Sequence, residues 1–355
     1  MIKIYLGIPE YLQTYCISKD SLSINSVILR SILNLIDLRS DISQVNDPND
    51  ADILHLWRSG YVTRYKTEAL CREFSGKKKI IIEACGNSVS VGWEWINQDR
   101  ILRGQQPKIY NKEDVDTKEN FLIDNSNVFR VPSLISKNSF MTGNCRDQKI
   151  CVRPPGYNSG IYKYERRVCL DMFKDKFVVA FFGRFRYRRG FHNFIDIITR
   201  INKNDDMMFI ACGMSADATQ YAELKLNNKM QLLSLFEPND SKEMAAVMMS
   251  AHVAVAPAIE SGYSLSTAEA MACGCYPLIS ANAGISYLAL QHGLGNIINP
   301  YNVDIWVKNL YSLYDTFKRK SELFNGNCER IAKIMQKYNY KNFMEELEHD
   351  YRRIL

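Results

Sequence analysis

The sequence predicts an α/β protein of two domains in series, each built on a parallel sheet. Three observations carry this. The chain has 355 residues, more than one hydrophobic core usually spans. Short apolar runs alternate with amphipathic stretches, as strands alternate with crossover helices. The alternation stops at a polar stretch, 157–176, and then restarts. Apolar residues make up 46% and charged residues 24% of the chain, ordinary globular usage that excludes a disordered chain, a collagen-like repeat and a coiled-coil rod.

The elements follow in order. "MIKIYLGI" reads as a strand and 24–36 as a helix with 3.6-residue periodicity. "ADILHLW" (51–57) and "KKIIIEAC" (78–85) are continuous apolar strands of the kind buried on both faces. "NVFRVPS" (127–133) and "KICVRPPGYN" (149–158) are two more, the second broken by Pro-Pro-Gly. After the candidate linker 157–176, "FVVAFFG" (177–183) is a strand and "FHNFIDIITRIN" (191–202) an amphipathic helix. "MMFIACG" (207–213), "HVAVAPA" (252–258) and "YPLIS" (276–280) are further strands. "SKEMAAVMMSA" is a helix with Ser241 as its N-cap. "NFMEELEHDYRRIL" closes the chain as a charged amphipathic helix.

No apolar run reaches the roughly 18 residues that span a bilayer. The N-terminal "MIKIYLGIPEYLQTYC" lacks the pattern of a secretory signal, so a cytoplasmic location is expected. The ten cysteines include no C-x-x-C pair and no Cys/His cluster at zinc spacing; reduced, mostly buried thiols are expected, and no metal. The net charge is +6, with 24 Lys/Arg against 19 Asp/Glu in residues 1–167. That bias suits an anionic ligand or membrane surface and is too thin for nucleic acid. Solvated lysines account for it equally well.

Two segments carry chemistry. In "FFGRFRYRRGF" (181–191) a strand ends at Gly183, a basic loop follows, and a helix starts near Gly190. Ligands of open parallel sheets bind at the carboxyl ends of strands. A helix N-terminus there favours phosphate, and Arg184, Arg186, Arg188 and Arg189 add guanidinium donors. In "APAIESGYSLSTAEAMACGCYPLIS" (256–280) a strand leads through Gly262, which permits close backbone approach, into a helix from about 264 to 273 stopped by Gly274. Glu269 has two open readings. It completes a capping box Ser266-Thr267-Ala268-Glu269, or its carboxylate accepts the vicinal hydroxyls of a ribose.

Order and separation of the two segments resemble the pattern of glycosyltransferase family 4. That family's first motif is Gly-Arg, four residues, Lys-Gly; Gly183-Arg184 and Arg189-Gly190 stand at that spacing. Its later motif is a Glu, seven residues, then Glu-Ala-Met-Ala-Cys-Gly; Glu269 to Gly274 match the second half letter for letter. "ADILHLW", "PPGYN" (154–158) and "GISYLALQHGLGNIINPYN" (284–302) resemble supporting segments. The resemblance implies the GT-B fold, two Rossmann-like domains facing each other across a cleft. The expected layout is an acceptor-binding domain 1–165, a nucleotide-sugar-binding domain 166–335, and a tail helix, 336–355, returning to the first domain.

The resemblance also implies a retaining, metal- and cofactor-independent hexosyl transfer from a nucleotide-diphosphate sugar to a glycan, lipid or other hydroxyl acceptor. Arg184 and Arg189 would bind the diphosphate and stabilise it as it leaves. Glu269 would bind the ribose, and the backbone at Gly262, Tyr263, Ser264 and Leu265 the phosphate or donor sugar. The expected partners are the nucleotide-sugar and the acceptor, no nucleic acid, and a peripheral membrane contact through the basic first domain.

The sequence departs from the family in four places. Arg189 replaces a Lys. The first Glu of the pair is displaced: Glu260 lies nine positions before Glu269, and Ser261 holds the expected place. "GIPEYLQTYCISKDSLS" stands where many members have a Gly-Gly loop. Cys85 stands where a site His is found, and a thiol is the weaker hydrogen-bond donor to a sugar. A nucleotide-sugar epimerase or phosphorylase would keep the fold with another reaction, and a non-catalytic GT-B module that binds nucleotide-sugar or glycan is the reading of another class.

Other candidates have plainer readings. Asp114-Val115-Asp116 reads as a solvated loop and Asp50-Ala51-Asp52 as a turn. His55 reads as a core histidine and His192 as a helix-surface residue near the arginine loop. Trp93 and Trp95 serve either sugar stacking or local packing. "CREFSGKKKI" (71–80) reads first as a solvated helix end and second as a lipid-headgroup contact.

Overall fold

The computed structural model describes residues 1–8, 24–58, 60–102, 104–109, 111–141, 148–165, 173–202, 206–213 and 216–355. Most of the segment that replaces the family's Gly-Gly loop (9–23) and part of the expected linker (166–172) lie outside the described residues.

In chain order the elements are β1 (Ile2–Gly7), α1 (Ile24–Leu38), β2 (Ile42–Val45), β3 (Ile53–Arg58), α2 (Gly60–Phe74), β4 (Lys79–Ala84), α3 (Val89–Leu102), α4 (Lys112–Asp124), β5 (Val128–Val131), α5 (Leu134–Phe140) and β6 (Ile150–Val152). They continue as β7 (Phe177–Phe182), α6 (Phe191–Thr199), β8 (Met207–Cys212), α7 (Ala216–Leu226), β9 (Leu233–Phe236), α8 (Ser241–Ser250), β10 (Val253–Ala256), α9 (Leu265–Ala272), β11 (Tyr276–Ser280), α10 (Ile285–His292), β12 (Asn296–Ile298), α11 (Val303–Arg319), α12 (Ser321–Met335) and α13 (Tyr340–Ile354). None of these helices is long and apolar enough to cross a membrane.

Two compact units emerge. One comprises Met1–Trp93, Ile109–Gly156 and Tyr338–Leu355; the other comprises Glu94–Lys108 and Tyr157–Lys337. The division therefore falls at Gly156 and Tyr157, earlier than the expected 165. The reason is visible in the linker, where Tyr157 and Tyr162 are buried, so its first half is packed chain and not a free connection.

The first unit is a parallel sheet in the order β2-β1-β3-β4-β5-β6. Every position of β3 is buried, as a strand covered on both faces requires. Alternation splits it: Ile53 and Trp57 join Ile4, Ile28, Ile81, Phe343, Leu347 and Tyr351 on one face. Leu54 and Leu56 join Phe74, Ile82 and Phe129 on the other. The tail helix α13 thus seats three large side chains in the first core, each contributing about 1.5–3 kcal/mol of burial.

That face also holds a buried ion network. Glu83 and Arg130 stand opposite each other in the β4–β5 register, and Arg130 Nε lies 2.8 Å from Glu83 Oε2. The Arg130 guanidinium also donates to Asp350 of α13, which Arg153 grips from Nε at 3.0 Å and Nη2 at 2.8 Å. His55 Nδ1 sits 2.8 Å from the Tyr351 hydroxyl and its Nε2 3.3 Å from Glu83. His55 is accordingly the core histidine the sequence suggested, held neutral by burial.

Three local readings are corrected or refined. Asp114 and Asp116 lie on helix α4, capped by the Asn111 side chain, with Asp114 paired to Lys118 one turn on; the polar run is a solvated helix and not a loop. The N-cap of α8 is Asp240, whose carboxylate accepts the amides of Lys242 and Glu243; Ser241 is the first helical residue. Within the basic patch, Lys78 Nζ is committed to the carbonyls of Asn49 and Ala51. The described cysteines are unbridged, and all but Cys85 and Cys151 are buried.

The second unit is a parallel sheet in the order β12-β11-β10-β7-β8-β9. Its aromatic core gathers Phe177, Phe181, Phe191, Phe194, Phe209, Trp306 and Phe324. The chain leaves β7 to one side for β8 and β9, then returns to the other side with β10. The crevice beyond the carboxyl ends of β7 and β10 is therefore the topological switch point, where such sheets receive ligands.

Candidate functional site

Both chemistry-bearing segments open at that switch point, one after β7 and one after β10. They are stitched together there. Ser266 Oγ, in the first turn of α9, donates to the carbonyl of Phe182 at 2.7 Å, the residue before Gly183-Arg184. The Arg189 guanidinium donates to Ser261 Oγ. The Glu260 amide donates to the Arg188 carbonyl at 3.0 Å.

The arginine loop has a fixed course. The Gly183 amide donates to Cys212 O at the end of β8, 3.1 Å away. Tyr187–Arg189 form a 3-10 turn, and Gly190 follows at φ 78° to start α6. A Cβ on Gly190 would stand 1.9 Å from the Pro257 carbonyl oxygen, so no other residue fits where the two loops touch.

The four arginines part company. Arg184 is exposed and has no ion-pair or hydrogen-bond partner among the described residues. Arg186 lies 3.8 Å from Asp99. Arg188 is paired with Glu260 at 3.2 Å. Arg189 is half-buried against the neutral Ser261 hydroxyl, and desolvation pulls its pKa down to about 10. It stays cationic at neutral pH with no carboxylate bonded to it, which favours an arriving anion.

Ser261 and the displaced Glu260 are engaged within the same two loops. Ser261 is fully buried; its amide donates to Asn282 O and its carbonyl accepts the Gly284 amide at 2.9 Å. Glu260 is turned to Arg188.

The start of α9 departs from the capping-box reading. The N-cap is Ser264, held at φ 81° with no side-chain cap bond; its hydroxyl meets Thr267 Oγ1 at 2.7 Å. Ser266 is spent on Phe182, so Glu269 has no capping duty. Left-handed backbone at a non-glycine residue is a strain that the surroundings must hold, and it recurs at ligand sites. The Ile285 amide pins the loop from behind by donating to Tyr263 O at 2.8 Å. The amides of Ser264 and Leu265 have no acceptor among the described residues, as expected of the first turn of a helix.

Glu269, further along α9, is 6% exposed, and no described side chain donates to its carboxylate. Burial pushes its pKa up to about 8. Between the unfolded value near 4.5 and about 8 the native chain holds a proton the unfolded chain releases. The stability of the unliganded protein should therefore fall as pH rises across that window.

Of the remaining candidates, His192 stacks on Tyr187 with centroids 4.4 Å apart, and burial lowers its pKa to about 4, so it carries no charge for phosphate. Trp95 stacks on Tyr187 with centroids 6.3 Å apart, within the same unit. Cys85, half-buried just after β4, is a thiol that desolvation holds neutral. Among the described residues no group of three His, Cys, Asp or Glu could hold a metal ion. Sequence reasoning missed Asp99, whose carboxylate accepts the Tyr187 amide. Nothing local marks a residue that acts on a loop 88 positions away.

Residues 165–323 match the family model described as glycosyl transferases group 1. No curated protein sequence matches the chain. HepE of Anabaena, solved with UDP and glucose, superposes with a TM-score of 0.69 at 11% identity, covering 99% of this chain and 100% of that one. Sucrose-phosphate synthase of Thermosynechococcus elongatus gives 0.68 at 16% identity, covering 99% of both. A glycosyltransferase of Rickettsia africae gives 0.69 at 11% identity, covering 99% and 98%. The chain shares the fold of these enzymes, the GT-B architecture.

Proposed function

We propose that this glycosyl transferase domain holds a nucleotide-diphosphate sugar at the β7–β10 switch point, and that the chain transfers the sugar, with retention, to a hydroxyl acceptor met by the first unit. One observation carries the reading. Among the described residues, two loops bonded to each other present an unpaired arginine, a second arginine half-buried against a neutral hydroxyl, amides lacking acceptors, and a buried carboxylate lacking side-chain donors. That set complements a diphosphate followed by a ribose diol.

In the reaction the bond from the anomeric carbon to the diphosphate oxygen breaks and the acceptor oxygen bonds that carbon. Arg184 and Arg189 take up the charge that develops on the departing diphosphate. The acceptor proton passes to a diphosphate oxygen, so no enzyme nucleophile or base is needed. Glu269 receives the ribose hydroxyls and fixes the nucleotide so that the diphosphate lies against the arginines. HepE has been solved with UDP-glucose, which makes UDP-glucose the first donor to test.

Arg184→Ala and Arg189→Ala should each weaken UDP-glucose binding by about 1.5–3 kcal/mol, the value of a charge-assisted hydrogen bond. Calorimetry reads this; unchanged affinity in folded variants would remove the diphosphate site. Hydroxyl donors favour the ionised Glu269, so its pKa falls on binding and a proton is released. Affinity should therefore rise from pH 6 to 8 and level off above, and Glu269→Gln should flatten the profile. A profile unchanged by that substitution would exclude Glu269 from the ribose.

A second reading, a donor-binding module without turnover, draws on Glu260 being occupied by Arg188 and on the thiol at Cys85. UDP-glucose bound without release of UDP across an acceptor panel would select it.

A further inference from the structure

The arginine loop is held from outside by a segment remote in sequence. Glu94–Lys108 packs with the second unit and is braced on itself. Asn97 Nδ2 donates to Lys108 O at 3.1 Å, and the Lys108 amide donates back to Asn97 Oδ1 at 2.9 Å. Arg100 Nε donates to Gln106 O at 2.6 Å. Trp95 and Asp99 are four apart on α3 and so share a face. Trp95 stacks on the Tyr187 ring, which stacks in turn on His192. Asp99, 8% exposed, accepts the Tyr187 amide and lies near the Arg186 guanidinium.

Tyr187 is the first residue of the 3-10 turn that carries Arg188 and Arg189, and Arg186, at its N-cap position, makes no side-chain cap bond. The end of such a turn needs an acceptor. We infer that Asp99 is a positioning residue for the diphosphate site: it caps the arginine turn from another element and so sets where the Arg189 guanidinium stands. The inference rests on the diphosphate reading above. It assigns α3 a part in donor binding that neither sequence motif contains.

The cap and the charge of Asp99 separate by substitution, because Asn retains an acceptor oxygen and Ala does not. Asp99→Ala should weaken UDP-glucose binding about two- to thirtyfold, the span of losing one cap acceptor. Asp99→Asn should remain within about threefold of the unmodified chain. Backbone amide exchange at Tyr187 and Arg188 should quicken in Asp99→Ala and stay slow in Asp99→Asn, with the rest of the β7–β10 unit unchanged. Should the Ala variant not fold, Asp99→Asn alone decides, since a tenfold loss there overturns the cap. Unaltered affinity in Asp99→Ala beside a loss in Arg189→Ala overturns this inference only. Failure of the unmodified chain to bind UDP-, GDP-, dTDP- or ADP-sugars overturns the functional reading beneath it, and exchange at Tyr187 then still tests the cap.

Discussion

Arg130→Ala is expected to destabilise the first unit by about 3–5 kcal/mol, the range for stripping one partner from a buried ion network. Arg130 is fully buried and is the cation shared by Glu83 and Asp350. Among the described residues, removing it leaves His55 as the ion-pair partner of Glu83, and burial holds that imidazole neutral. Asp350 keeps Arg153, so the uncompensated charge is chiefly on β4. Arg130 also spans the Phe343 ring at 5.0 Å, so the variant loses packing of α13 together with its ion pair. Hydrogen exchange reads the outcome locally: β4, β5 and α13 should lose protection together while β7–β12 keep theirs. Glu83→Gln combined with Arg130→Met should recover most of the loss, because the buried pair is then replaced by neutral groups, which removes the desolvation penalty along with the attraction, while Asp350 keeps Arg153. Protection in Arg130→Ala equal to that of the unmodified chain would show the network to be energetically idle.

This network also marks the limit of what the sequence discloses. The strands were legible because burial on both faces writes itself as unbroken apolar runs, as in "FVVAFF" and "KIIIEA". The candidate site was legible in part because a strand end, a cluster of arginines and a Gly at the head of a helix lie within eleven residues, 181–191. Interactions between distant residues leave no such trace. Glu83, Arg130 and Asp350 meet only because the β4–β5 register and the seat of α13 bring them together, and Asp99 reaches Tyr187 by the same kind of long-range placement. Competition between local motifs explains why the two readings of Glu269 stood open in the sequence. The pattern Ser266–Glu269 is a valid helix start, but the helix begins earlier and Ser266 finds a better acceptor in Phe182 O. The pairing of Arg188 with Glu260 and of Arg189 with Ser261 likewise follows from how two loops are threaded, and spacing alone left both assignments open.

Gly190→Ala should cost the second unit about 2–5 kcal/mol and weaken donor binding with it. Two terms add. Left-handed backbone, φ 78° here, penalises an L side chain by about 1–2 kcal/mol. The new Cβ would also stand 1.9 Å from Pro257 O and 2.5 Å from its carbonyl carbon, and forcing atoms into packed structure typically costs about 1–3 kcal/mol. Both obstacles are backbone, so neither can rotate away. The loop must lift from β10, and Arg189, one residue earlier, lifts from Ser261 with it. Gly293→Ala supplies the comparison within the same unit: its φ is 60°, yet nothing stands within 4 Å of the added carbon. It should show the conformational part alone, about 1–2 kcal/mol, with UDP-glucose affinity unchanged. Thermal unfolding and calorimetry on the pair separate backbone strain from close approach. Equal stability losses, with donor affinity intact in both, would mean that the contact between the arginine loop and Pro257 does not hold the site together.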